Sequence, residues 1–106
     1  MQRLAVTLYQ FGSESASRSM PEIEIYSSGF CAYCIAARNL LKAKGLEWRE
    51  IRIDIDPTAR TAMLERSGGR RTVPQIFING THVGGFEELA AAEHDGTLAK
   101  LLEGAG

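Results

Sequence analysis

From Pro21 onward the chain alternates apolar and polar positions in two different rhythms. In "EIEIYSS", Ile23 and Ile25 stand against Glu22 and Glu24, the period of two that turns one face of a strand toward a core. The rhythm then lengthens. Ala37, Leu40, Leu41 and Lys44 recur at spacings of three and four, which predicts a helix beginning near Cys31, with Gly45 as its C-terminal stop. Alternation returns in "EWREIRIDID", where Ile51, Ile53 and Ile55 are interleaved with Arg52, Asp54 and Asp56. A second strand is expected to run through all three isoleucines.

Asp56-Pro57 opens another helix, because Asp caps free amides and Pro is tolerated in the first helical position. That helix should reach about Ser67 and close at Gly68-Gly69. "PQIFINGTHVGG" reads as two strands joined at Asn79-Gly80, a strong short-range hairpin signal. Asn79-Gly80-Thr81 is also a glycosylation sequon, but the turn is the favoured reading. "FEELAAAEHDG" and "TLAKLLE" suggest two short helices. A helix between the first two strands demands a right-handed parallel crossover, whereas a hairpin is antiparallel. The expected fold class is therefore α/β, a four-stranded mixed sheet flanked by helices.

At 106 residues there is room for one core. "GSESASRS" (12–19) has the composition of a flexible linker, so residues 1–20 read as an N-terminal extension and 21–106 as the folded domain. Met20 is an alternative start. "LAVTLYQF" after Arg3 is short for a signal-peptide core and carries Thr, Tyr and Gln. No apolar run reaches membrane-spanning length, and a formal net charge of -1 argues against nucleic acid or membrane as partners. The expected compartment is the cytoplasm.

Two cysteines, Cys31 and Cys34, are too few for a secreted disulfide framework. Three readings compete for them. A zinc site needs further ligands, and His82 and His94 are distant in sequence and too widely separated for a ligand pair. An inert buried pair is the second, and the loop-like Ser27-Ser28-Gly29 before the cysteines speaks against it. The third is a redox couple. At a helix start the unsatisfied amides and the dipole stabilise a thiolate, and such a setting lowers a cysteine pKa into the range of about 3.5–7.5. Cys34, one turn on, shares that face. Cys31 is then the exposed attacker and Cys34 the buried resolver.

With Cys31-Ala32-Tyr33-Cys34, Thr72-Val73-Pro74 and Gly84-Gly85-Phe86-Glu87, residues 21 to about 103 resemble the glutaredoxins, specifically the small bacterial dithiol type. The resemblance implies a thioredoxin-like fold and glutathione-dependent reduction of protein–glutathione mixed disulfides and some protein disulfides. Cys31 matches the nucleophile and Cys34 the resolving cysteine. Pro74 matches a cis-proline that leaves Val73 backbone free to pair with glutathione. The residues themselves indicate only an extended X-Pro entry to a strand. Gly85, Phe86 and Glu87 match the loop and helix start that hold the γ-glutamyl end, and Glu87 is placed to meet its ammonium group; alone, they would read as a plain turn before a helix. Tyr33, Arg70 and Thr72 complete the expected glutathione contacts.

Two departures stand out. Ala32 replaces the family's common proline and restores an amide donor. In the family, small residues there accompany a [2Fe–2S] cluster bridging two subunits with glutathione. Cys31 would be this chain's only ligand to such a cluster. The alternative function is accordingly a cluster-bridged homodimer acting as carrier or sensor, against a monomeric enzyme acting on glutathionylated or disulfide-containing clients. No other metal is expected. Ser28 stands where the family often has a glutathione-binding Lys. Arg70, Arg71, Arg38 and Lys42 are the nearby cations that would compensate. A thioredoxin-type reductant served by a flavoprotein is the remaining rival.

Overall fold

The computed structural model describes residues 20–104; apart from Met20, the proposed extension lies outside the described residues. The elements are β1 (Ile23–Ser27), α1 (Ala32–Ala43), β2 (Arg49–Arg52), α2 (Pro57–Arg66), β3 (Gln75–Ile78), β4 (Thr81–Gly84), α3 (Phe86–Asp95) and α4 (Thr97–Glu103). The sheet order is β2-β1-β3-β4. β1 pairs parallel with β2 and antiparallel with β3, which pairs antiparallel with β4. This is the thioredoxin-like, four-stranded mixed sheet with flanking helices.

Both faces of the sheet are covered, so adjacent residues of β1 and β3 are buried in opposite directions. On one side Ile23, Ile25, Ile76 and Ile78 meet Ala37 and Leu41 of α1, Leu89 and Ala92 of α3, and Leu98 of α4. On the other, Tyr26 and Phe77 meet Ala59 and Met63 of α2. Trp48 packs at the edge of the first cluster and donates its Nε1–H to Glu50. Fully burying one Leu or Ile of this kind contributes about 1.5–3 kcal/mol.

The local signals mostly hold. Asp56 caps α2 through the Thr58 amide, and the helix ends at Arg66 with Ser67 as its C-cap. Asn79 (φ 51) and Gly80 (φ 84) supply the left-handed pair that the hairpin turn requires.

The second strand needs correction. It ends at Arg52 rather than running through Ile55. Ile53 still donates its N–H to Ser27 at 2.9 Å and is buried, but the chain then turns through an Asp56 N–H to Arg52 carbonyl bond. Ile55 is left 70% exposed. The turn leaves Asp54 between the Arg52 guanidinium and the Gly29 N–H, and places Asp56 at the cap of α2.

Candidate functional site

The sheet end formed by the C-terminus of β1, the start of β3 and the end of β4 carries the chemistry. Cys31 is the N-cap of α1, in extended conformation (φ -151, ψ 103), and the Cys34 N–H donates to its Sγ at 3.0 Å. An N-cap sulfur thus accepts the bond that an N-cap oxygen usually takes, the arrangement that favours a thiolate. The two cysteines form a disulfide, with Cα atoms 5.2 Å apart. Cys34 is 0% exposed, whereas Cys31 is half-buried.

The loop leading to Cys31 is tied from below. Gly29 N–H donates to Asp54 Oδ2 at 3.0 Å, and Arg52 grips both Asp54 oxygens at 2.7 Å. The Arg52 hydrogen bonds, helped by the Gly29 amide, bring the Asp54 pKa down to about 2. A Cβ at Gly29 would sit 2.9 Å from an Arg52 guanidinium nitrogen, so the close approach uses the missing side chain. Ser27 Oγ donates to Glu50, which also pairs with Arg38.

The facing wall begins at the Val73–Pro74 bond, which is cis, as the resemblance implied. Val73 carbonyl oxygen lies 3.6 Å from Cys31 Sγ. A cleft of about 270 Å³ opens beside it, lined by Arg70, Thr72, Val73 and Pro74 from the loop before β3. Tyr33 comes from α1, and Gly85, Phe86, Glu87 and Glu88 from the start of α3. The Tyr33 and Phe86 rings stack at 6.3 Å between centroids. All eight residues expected around a ligand therefore border one cavity. A groove of similar size, about 280 Å³, between Met20–Glu24 and Glu47–Arg49 has none of these residues in its lining.

The other cations are placed differently. Arg71 is exposed and does not line the cleft; Arg38 is engaged by Glu50; Lys42 lies in the last turn of α1, at the opposite end from Cys31. Ser28 contributes no charge, which leaves Arg70 as the cation in the cleft wall.

Glu88, which the plain-turn reading has complementing the helix start alongside Glu87, also borders the cleft. Its Oε1 accepts the Gly85 N–H at 2.6 Å and lies 3.7 Å from Arg70. The Gly85 amide first, and Arg70 after it, hold the Glu88 carboxyl below its usual pKa. The signal was present as Gly85-x-x-Glu88, the spacing at which an acid folds back to cap its own helix start. Gly84, at φ 121, could not carry a side chain here: a Cβ would lie 2.7 Å from Glu88 Oε1. Among the described residues, no group of three or more His, Cys, Asp or Glu is arranged to hold a metal ion.

Comparison with known proteins gives one consistent picture. A family model described as "Glutaredoxin" matches residues 23–83. Glutaredoxin of Pseudomonas aeruginosa is 48% identical over 83 residues, spanning 78% of this chain and 98% of the relative. Among solved structures, the glutaredoxin of Brucella melitensis aligns with TM-score 0.69 and 47% identity, covering 80% of this chain and 91% of that one. The buckwheat glutaredoxin–glutathione complex aligns with TM-score 0.72 and 26% identity, covering 89% of this chain and 88% of that one.

Proposed function

The chain belongs to the glutaredoxin family and is a thiol–disulfide oxidoreductase; from that premise we propose that glutathione is its reductant and protein–glutathione mixed disulfides are its main substrates. The observation that carries this reading is the cleft itself, which opens beside the Cys31 Sγ–Val73 contact and brings Arg70, Thr72 and the α3 N-terminus into one lining. A tripeptide with a central thiol and a carboxylate at each end fits that set of groups.

In this reading the Cys31 thiolate, favoured by the Cys34 amide and the start of α1, attacks the glutathione sulfur of a mixed disulfide. The client sulfur leaves as thiolate and takes a proton from solvent. Glutathione is now bonded to Cys31. A second glutathione, as thiolate, attacks the sulfur of the bound one, so that glutathione disulfide departs and the Cys31 thiolate returns. For clients with a disulfide of their own, the Cys31 thiolate attacks one client sulfur and frees the other as thiolate. Cys34 then loses its proton and attacks Cys31 Sγ, releasing the reduced client and closing the Cys31–Cys34 bridge, which two glutathiones reopen as glutathione disulfide forms. Full burial of Cys34 fits a resolver that reacts only with a sulfur already on Cys31.

The binding roles follow from placement. Val73 backbone pairs with the cysteinyl part, held by Thr72 and Pro74 on either side, and Tyr33 packs along the ligand. Arg70 takes the glycine carboxylate in place of the lysine that Ser28 displaces. At the other end Gly85 shapes the turn, but its N–H is committed to Glu88. The γ-glutamyl carboxylate therefore falls to the amides of Phe86 and Glu87, which have no acceptor one turn upstream. The Glu87 side chain meets the ammonium group. The reaction needs a compartment rich in reduced glutathione, which for this reading is the cytoplasm, with the protein acting as a monomer. The cluster-carrier alternative needs one sulfur per chain, Cys31, with glutathione and a second copy of the chain supplying the rest; the enzyme reading is preferred because it also gives a role to Cys34, fully buried within bonding reach of Cys31.

The test is turnover of a glutathionylated peptide with excess glutathione by wild type, Cys31→Ser and Cys34→Ser. The reading expects activity in wild type and Cys34→Ser and none in Cys31→Ser. Wild type that is inert with glutathione but is recycled by a flavoprotein reductase would reverse it.

A further inference from the structure

Behind the cleft, out of reach of any ligand, lies a buried carboxamide with every hydrogen-bonding group occupied. Gln75 is 0% exposed and follows the cis Val73–Pro74 bond directly. Its Nε2 donates to the Thr72 carbonyl at 3.0 Å and lies 3.3 Å from Thr72 Oγ1. Its Oε1 is 2.7 Å from His82 Nε2 on the neighbouring strand β4. The His82 ring lies against Phe77, with centroids 4.8 Å apart and planes 29° from parallel. Burial, and Arg70 nearby, hold the His82 pKa below its ordinary value; Glu88 opposes this and Arg66 adds to it.

We propose that Gln75 and His82 are positioning residues for glutathione recognition, with His82 fixing the orientation of the Gln75 amide and Gln75 clamping Thr72. The inference rests on the glutathione reading of the cleft. A flipped carboxamide would set its oxygen against the Thr72 carbonyl and its NH2 against a His82 nitrogen that donates. Only one orientation satisfies all the groups, provided His82 carries its proton on Nε2. Thr72 thereby holds one place, and with it the adjoining Val73 that lines the cleft next to Cys31. An apolar side chain of similar size would fill the same volume but leave the Thr72 carbonyl free to rotate.

The experiment is steady-state turnover of a glutathionylated peptide by wild type, Gln75→Leu, His82→Phe and His82→Gln, together with the rate of Cys31 alkylation by iodoacetamide. Gln75→Leu is expected to raise the KM for the glutathionylated peptide about tenfold, the loss of roughly one clamping hydrogen bond, with kcat within about twofold and alkylation unchanged. His82→Phe keeps the ring but not the donor and should raise KM by about threefold, while His82→Gln, which retains an N–H, should restore it. Should Gln75→Leu fail to fold, the two His82 variants decide. An unchanged KM in both Gln75→Leu and His82→Phe, or alkylation falling in step with turnover, would overturn the clamp while leaving the glutathione reading intact. Wild type inert with glutathione would overturn both.

Discussion

The two ends of the central sheet use the same kinds of backbone groups to opposite purposes. At the hairpin end, Asn79 closes every loose connection. Its Oδ1 accepts the Glu22 N–H at 2.8 Å, its Nδ2 donates to the Leu101 carbonyl at 2.9 Å, and its own N–H donates to the Glu22 carbonyl at 2.7 Å. One side chain ties the first strand, the turn and the last helix together. At the cysteine end, partners are deliberately scarce on the cleft side. The first amides of α3 have no acceptor upstream, and among the described residues Val73 N–H has no backbone partner. Behind that surface the supports are saturated again, through Asp54, Gln75 and Glu88. Polar satisfaction builds the fold at one end; its local absence, backed by fixed supports, makes a binding site at the other.

The largest effect that would sharpen this contrast is chemical. Cys31→Ser should lower turnover of a glutathionylated peptide about a thousandfold or more, since Cys34, the other of the two thiols, is fully buried. Thermal unfolding of the reduced protein should change little. Next comes the opposite end. Asn79→Ala removes two hydrogen bonds and the residue best suited to a positive φ, and should cost about 1–2 kcal/mol. In a domain of this size that is a fall in Tm of roughly 4–8 °C per kcal/mol, with kcat and KM unaltered. Arg70→Ala should show the reverse: KM for glutathione raised about threefold to tenfold, more at low salt than at high, and a Tm close to wild type. A variant at either end that moved both quantities together would break the division.

The smallest effect concerns pH. Asp54 has a folded pKa lowered from 3.8 to about 2, so it binds a proton less readily folded than unfolded. Its contribution is complete above about pH 4 and is lost as pH falls from there through about 2. Asp54→Asn should flatten that part of the stability curve, measured by thermal unfolding between pH 5 and pH 2, and lie slightly below wild type from pH 5 to neutral, the two curves meeting toward pH 2. An identical acid profile in the variant would show that the Gly29 loop does not depend on this carboxylate.

Much of this division could be read along the chain, for identifiable reasons. Elements with a strict period and a punctuating residue were legible: β1 from Ile23 and Ile25, α2 from Asp56-Pro57, the hairpin from Asn79-Gly80. The place of the cysteine pair at a helix start was legible from the recurrence of Ala37, Leu40, Leu41 and Lys44 behind it and the Gly45 stop. Ile55 departs from the pattern because alternation records composition, not path: the Asp56 N–H turns back to the Arg52 carbonyl, and that turn leaves Ile55 outside the core. The cis Val73–Pro74 bond carries no local signal and followed from resemblance only. Gln75 and His82 meet across strands, a contact that exists only once the hairpin register is set. Glu88 has a signal, the helix-start spacing from Gly85, but spacing does not show that the carboxylate which caps the helix also borders the cleft beside Glu87.

The central claim is that the open groups at the cysteine end receive glutathione while the closed end takes no part. The direct measurement is the set of backbone amide and arginine side-chain NMR shifts in Cys34→Ser before and after its Cys31 is converted to the glutathione mixed disulfide. The account predicts shifts at Val73, Phe86 and Glu87 and at the Arg70 side chain, with Glu22, Asn79 and Leu101 unmoved. Failure to form the adduct at Cys31, or shifts that bypass Val73 and the start of α3, would contradict it.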